Sequence, residues 1–187
     1  MSAAADALLD RCLTVLQRTG FSRLSLREIA AAVGTSHRML IYHFGSREGL
    51  LAQIVARIEA DTRALLVGLL PPDTEDPQVV AVAREFWNRI TAPDMLPAQR
   101  LFFEIYVQAL YGGPFSAAFR AAVIDAWEGP LTAMFARAGV ADPAAHARLG
   151  LAVTRGLGLD LLLTGERDRV EAALACYGAM VAGELAG

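Results

Sequence analysis

Residues 25–50 read SLREIAAAVGTSHRMLIYHFGSREGL, and the spacing of apolar residues along this stretch decides the fold. Ser25 stands three residues before Glu28, the spacing at which a hydroxyl and a carboxylate cap a helix start reciprocally, so a helix is predicted from Leu26. Leu26, Ile29, Ala30 and Val33 recur at helical intervals and form one stripe, after which Gly34 supplies the backbone freedom of a sharp turn. Thr35 or Ser36 caps the next helix. There Leu40, Ile41 and Phe44 are predicted to turn inward, leaving Ser36, His37, Arg38, Met39, Tyr42 and His43 largely outward. Gly45 and Ser46 end that helix and cap another, whose pattern continues through Arg47, Glu48, Leu50, Leu51, Ile54, Val55 and Ile58. Two short helices about a tight turn, with a third directly after, form a helix-turn-helix, the module that lays one helix in the major groove of DNA.

These residues, taken as a set, resemble the amino-terminal domain of the TetR family of bacterial transcriptional regulators. The resemblance rests on Gly20-Phe21, on Ser25 with Ile29-Ala30, on Gly34, and on Leu40-Ile41-Tyr42-His43-Phe44 followed by Arg47 and Leu50; it covers roughly residues 5 to 55. Arg155-Gly156-Leu157, Asp160-Leu161-Leu162 and Thr164-Gly165 are similar to the end of the penultimate helix in many members. Two departures from the family pattern stand out: Ile41 stands where Tyr is usual, and Arg38 with Met39 where small residues are common. The resemblance implies a DNA-binding head, a helical body that holds an inducer, and assembly as a dimer.

Side-chain chemistry then sorts the head. Arg38 has the forked donors that suit a guanine edge, His37 and Ser36 are placed for a neighbouring base, and Met39 suits a thymine methyl. Ser25, Arg27, Tyr42, His43 and Arg47 are placed by helix ends and by the resemblance to hold phosphates and set register, and Thr35 in the turn completes the DNA-binding set. The alternative for any one of them is a solvated helix surface.

Charge and composition narrow the classes. The net charge of −3 argues against indiscriminate coating of nucleic acid. Residues 1–50 carry six Arg against four acids, giving +2, while the remaining 137 carry eleven Arg against sixteen acids, giving −5. All seventeen basic side chains are Arg. Without lysine there is neither a P-loop nor a Schiff base, and no G-x-S-x-G, HExxH or complete G-x-G-x-x-G occurs; Gly156-Leu157-Gly158 lacks its third Gly. No catalytic residue, cofactor or metal is therefore expected: His37 and His43 are six apart, on different faces of one helix, and Cys12 and Cys176 lie at opposite ends of the chain. Two unpaired cysteines and the absence of a leader pattern point to the cytoplasm. The longest uncharged run, Ile105 to Phe119, is 15 residues and broken by Gly112-Gly113-Pro114, so no membrane span is expected.

The remainder reads as helices punctuated by Pro and Gly, giving an all-α protein of about nine helices. A first helix, Ala3 to Thr19, completes a three-helix head. The fourth runs from Arg47 to about Leu70, on the order of 35 Å long, and stops at Pro71-Pro72. Further helices open at Pro77 and Pro97, follow Pro114, and start at Asp142-Pro143; a last one covers about Asp168 to Leu185. Pro130 is predicted to kink or divide its helix near Gly129. The domain division is 1–46, a helix-turn-helix DNA-binding domain, and 47–187, a helical effector-binding and dimerisation domain.

Large side chains concentrate between positions 86 and 135, Met95, Phe115 and Phe135 among them. Phe86, Trp87, Phe103, Tyr106, Phe119, Trp127 and Met134 either fill a core or line a pocket for an apolar or aromatic effector. Arg155, with Asp160 nearby, is either half of a structural ion pair or an anchor for an acidic ligand group. Leu149, Leu151, Val153, Leu157, Leu159, Leu161, Leu162 and Leu163 exceed one buried stripe, and Gly150, Gly156 and Gly158 suggest close helix approach. Together with Val170, Ala173, Leu174, Tyr177, Val181 and Leu185 they predict a two-fold four-helix interface between copies. The expected function is a homodimeric repressor that leaves a palindromic double-stranded DNA operator when a small-molecule effector of unknown identity tilts the fourth helix. The alternative is a helical small-molecule sensor or enzyme that does not use the head.

Overall fold

The computed structural model describes residues 2–70, 78–112 and 116–185, and every regular element among them is helical. In chain order these are α1 (Ala3–Thr19), α2 (Leu26–Ala32), α3 (His37–Phe44), α4 (Arg47–Leu69), α5 (Val79–Ile90), α6 (Leu96–Leu110), α7 (Ser116–Arg120), a π-helical turn (Ala121–Asp125), α8 (Ala126–Arg137), α9 (Pro143–Thr164) and α10 (Arg167–Leu185). Because α7, the π turn and α8 run on without interruption, they form one rod, and the described residues make nine in all.

Most helix ends fall where local chemistry puts them. The Ser2 hydroxyl accepts from the Ala5 N–H at 3.3 Å to start α1, and the Asp142 carboxylate accepts from the Ala145 N–H at 3.0 Å ahead of α9, with Pro143 in the first turn. The expected stops and starts at Pro71, Pro72, Pro77 and Pro114, and the side chain of Phe115, lie outside the described residues. Of the expected kink or division at Pro130, the division does not occur: α8 runs through both Gly129 and Pro130, directly after the π turn at Ala121–Asp125. Pro130 has no N–H to give the Ala126 carbonyl, and its ring crowds that oxygen.

The chain forms two compact units, Met1–Ala60 with Pro97–Val123, and Asp61–Leu96 with Ile124–Gly187. In the first, α1 buries Ala5, Leu8, Leu9, Cys12 and Leu16, α2 buries Leu26, Ile29 and Ala30, α3 buries Leu40 and Phe44, and α6 buries Ala98, Leu101, Phe102 and Ile105. Burial also pushes the Cys12 thiol up to about 11, against a smaller opposing effect of Arg11, which leaves it an inert core group.

The second unit is organised around one apolar cluster that includes Leu66, Val82, Phe86, Trp87, Trp127, Met134, Phe135, Leu151 and Val181. Arg167, at the start of α10, donates to the Thr91 carbonyl at 2.8 Å and to the Thr91 hydroxyl at 3.3 Å, which ties α10 to the end of α5. At the other end of α10, His146 of α9 donates through Nδ1 to the Asp142 carbonyl at 2.8 Å while Nε2 meets the Glu184 carboxylate at 2.9 Å. Gly150 is also accounted for here, since a Cβ would lie 3.3 Å from the Tyr177 hydroxyl and 3.7 Å from the Phe135 ring. Its close approach is therefore within the chain. Gly156, by contrast, has nothing within 4 Å of that position.

The hydrogen bond to the Asp142 carbonyl, with the Glu184 carboxylate, raises the His146 pKa above 6.5 against the opposing effect of burial. A raised folded pKa stabilises fully below the unfolded value and ceases to do so as pH rises through the folded one. Resistance of the protein to urea is thus expected to fall as pH rises from about 6.5, the ordinary imidazole value, and His146→Asn should flatten that slope.

Candidate nucleic-acid interface

The turn between α2 and α3 is built from backbone hydrogen bonds. The Gly34 N–H donates to the Ala31 carbonyl at 3.2 Å and the Thr35 N–H to the Ala30 carbonyl at 2.9 Å, with Gly34 at φ 69°. Nothing lies within 4 Å of a Cβ at Gly34, so the left-handed conformation, not space, calls for glycine there. Upstream the capping box is complete: the Ser25 hydroxyl accepts from the Glu28 N–H at 3.3 Å, and the Glu28 carboxylate from the Ser25 N–H at 2.7 Å. These bonds to Ser25 hold the Glu28 carboxyl below its usual range. Downstream, the Ser36 hydroxyl accepts from the Met39 N–H at 3.2 Å and opens α3.

α3 presents Ser36, His37, Arg38, Met39 and Tyr42 to solvent, Tyr42 at 78 % exposure, while Thr35 and His43 are half-buried. Ile41 is the correction, for it is 38 % exposed and not part of the core. Leu40 and Phe44 lie four residues apart and only about 40° around the axis, so they alone define the inward direction. Ile41 sits about 100° from Leu40 at 3.6 residues per turn, on the flank. No acid occurs in α3, and Arg27 and Arg38 are exposed, with no ion pair among the described residues. The outward face is therefore an uninterrupted set of donors, one thioether and one phenol.

Arg47 stands elsewhere. It is half-buried, its guanidinium lies 3.7 Å from the Phe21 ring centre, and its Nη2 reaches the Phe21 carbonyl at 3.5 Å, the outer limit of a hydrogen bond. From α6, the Glu104 carboxylate accepts from the Phe21 N–H at 2.7 Å and the Ser22 N–H at 2.5 Å. Burial opposes charge on Glu104, yet the Phe21 N–H, the Ser22 hydroxyl and N–H, and the Arg23 guanidinium outweigh it and keep the carboxyl below its usual range. Beside it opens a groove of about 410 Å³ lined by Arg18, Arg23, Pro97, Arg100, Leu101 and Glu104. Sequence reasoning missed Glu104. The available signal was that it is the sole charge from Leu101 to Leu110 in an otherwise largely apolar helix.

The residues expected to line an effector pocket fall into two groups. In the first unit, Phe103 and Tyr106 of α6 pack edge-on to Phe102 at 5.1 and 5.7 Å, and Tyr106 meets Phe119 at 5.3 Å. In the second, Phe86 meets Trp127 edge-on at 6.0 Å, the Arg63 guanidinium lies 5.8 Å from the Trp127 ring, and Trp87 and Met134 are buried. The indole N–H of Trp87, which is 1 % exposed, finds no acceptor among the described residues. Arg155 is half-buried. Asp160 is exposed and, five residues on in the same helix, stands about 140° around the axis from it at 3.6 residues per turn. No group of His, Cys, Asp and Glu among the described residues could hold a metal, and no described helix is long and apolar enough to cross a membrane.

A two-turn helix held on a glycine turn, with a polar outward face and a hydrophobic inward one, defines a helix-turn-helix protein of all-α architecture. The family profile of "Bacterial regulatory proteins, tetR family" matches residues 8–54. Among solved structures, one described as a TetR-family transcriptional regulator from Rhodococcus sp. is 21% identical, with 99% of this chain and 100% of that chain covered at a TM-score of 0.75. A transcriptional regulator from Saccharomonospora viridis in complex with choline is 21% identical, covering 95% of this chain and 96% of that one at 0.70. The multidrug binding protein EbrR complexed with imidazole is 18% identical, covering 94% of each chain at 0.65. No curated protein matches. Residues 8–54 thus match that family's model, and the chain shares its fold with these solved structures.

The contacts of Arg47 set an expectation for stability. Arg47→Ala should destabilise by about 1–2 kcal/mol through loss of the stack on Phe21, read from the urea midpoint at unchanged m value.

Proposed function

We propose that the protein is a homodimeric, sequence-specific DNA-binding transcriptional regulator, a repressor released from a palindromic operator by a small apolar or aromatic effector. The observation that carries this reading is the exposed, acid-free face of α3 on a helix-turn-helix whose turn and caps are fully hydrogen-bonded. In it Arg38, His37, Ser36 and Met39 read base edges in the major groove, and Ser25, Arg27, Thr35, Tyr42 and His43 hold phosphates. Arg47 has its stem and plane committed to Phe21, so it serves the shape of the head first and a phosphate second. The functional boundary in this reading stays at 46/47, with 1–46 contacting DNA and 47–187 carrying effector binding and dimerisation.

Two features support the body's share. Aromatic clusters around Phe103, Tyr106 and Phe119, and around Phe86 and Trp127, suit an effector with flat or apolar surface, and the buried Trp87 N–H suits one that brings an acceptor. Choline and imidazole complexes of proteins with this fold accord with a small-molecule effector. Such an effector must bind the DNA-incompetent state more tightly, and tilting of α4 is the means proposed for changing head spacing. For dimerisation, α9 and α10 leave Leu149, Leu159, Leu163 and Met180 exposed, Leu163 at 84 %. A monomer rarely leaves such surface on two adjacent helices uncovered.

Selection of duplexes from a random pool by the wild-type protein tests the reading; failure to enrich any sequence at low ionic strength would sink it. On the selected operator, Arg38→Ala should lose about 1–3 kcal/mol and blur one position. Arg27→Ala should instead weaken all duplexes alike and reduce the salt slope by about one per subunit. Light scattering should give a dimer, and Leu163→Glu a folded monomer with weakened operator binding. A wild-type monomer would remove the two-fold arrangement from the proposal.

A further inference from the structure

The turn between α1 and α2 is gripped from α6, and nothing in the reading of the head requires that grip. Glu104 places one carboxylate oxygen 2.7 Å from the Phe21 N–H and the other 2.5 Å from the Ser22 N–H. These two N–H groups lie in the short connection before the α2 cap at Ser25, at a separation of more than eighty residues from their acceptor. The bonds are charge-assisted, which makes them stronger and more directional than neutral ones. On the opposite side Arg47 covers the Phe21 ring and carbonyl. The same turn is thus fixed by a donor from the start of α4 and an acceptor from the middle of α6. Glu104 also sits between Phe103 and Tyr106, whose rings join the aromatic cluster with Phe102 and Phe119.

We infer that Glu104 is a positioning residue for DNA recognition: it latches the α1–α2 turn to α6, so that α2 and α3 follow α6 directly. The latch sets where the head stands and touches no DNA itself. A shift of α6 of about 1 Å or less is felt at Phe21 and Ser22, because bonds of this length weaken steeply when stretched. The inference rests on the DNA-binding reading above and adds a connection to the head that does not run through α4.

Simple electrostatics and the latch make opposite forecasts. Removal of a carboxylate from a protein that binds a polyanion should strengthen binding if Glu104 acted only through its charge. If it positions the head, removal should weaken binding. The test uses the full-length protein, the duplex that the wild type selects from a random pool, and Glu104→Ala with Glu104→Gln. Glu104→Gln keeps an acceptor oxygen and the side chain's size, and serves as the readable variant should Glu104→Ala fail to fold. Gln108→Ala, an exposed position on the same helix, is the control. The expected result is a loss of at least tenfold in operator affinity for Glu104→Ala and a smaller loss for Glu104→Gln. The slope of log affinity against log salt should be unchanged, and amide exchange should be faster at Phe21 and Ser22 in folded protein. Unchanged or tighter binding by the folded variants would overturn the inference and leave the DNA-binding reading standing. Absence of any selected duplex for the wild type would overturn both.

Discussion

Helices of seven and eight residues do not persist alone in water, since nucleation costs more than so few hydrogen bonds return. The exposed face of α3 therefore exists only because Leu26, Ile29, Ala30, Leu40 and Phe44 are buried, and because each short helix has first-turn N–H groups capped by Ser25 or Ser36. This constraint orders the rest of the head. α1 is long because it must supply the apolar surface under α2 and α3, and its half-exposed Asp10 takes the Arg57 guanidinium of α4 at 2.7 Å. The outward face of α3 is left with no structural duty, which is the condition for residues chosen by a binding partner.

The α1–α2 turn is the second point at which the head is held. Arg47 and Glu104 approach Phe21 from different helices, one by stacking and one by accepting backbone N–H groups. Both contacts are local in space and remote in sequence. They make α4 and α6 neighbours of the same turn, directly before α2. In the second unit the equivalent fastening is Arg167 on Thr91 and His146 on Glu184, which pin both ends of α10.

Several elements were legible because their causes are local. Ser25 with Glu28, Ser36 before α3, Asp142-Pro143 before α9 and Gly34 between α2 and α3 are each read from three or four adjacent residues, and the helices begin and end there. Ile41 was misplaced because apolar character alone does not say which flank of a two-turn helix finds cover. At Pro130 the helix is not divided, because a proline removes one backbone bond and crowds the carbonyl four residues back, and the remaining turns can still carry the helix through. Gly150 implied close helix approach without saying to what, and Phe135 and Tyr177 of the same chain are what crowd it.

Sequence by itself determined the helical class, the order of nine rods, the head and the exposure of Ser36, His37, Arg38, Met39 and Tyr42 at α3. Those depend on periodicity of about 3.6, on caps and on turn residues, all set by neighbours along the chain. Only the tertiary structure decided that Tyr106 of α6 meets Phe119 and that Phe86 meets Trp127. It also decided that Arg47 stacks on Phe21 and that a carboxylate from α6 closes the α1–α2 turn. A hydrogen bond spanning more than eighty residues leaves no trace in spacing, because its partners are chosen by how whole helices pack and not by where they stand in the chain.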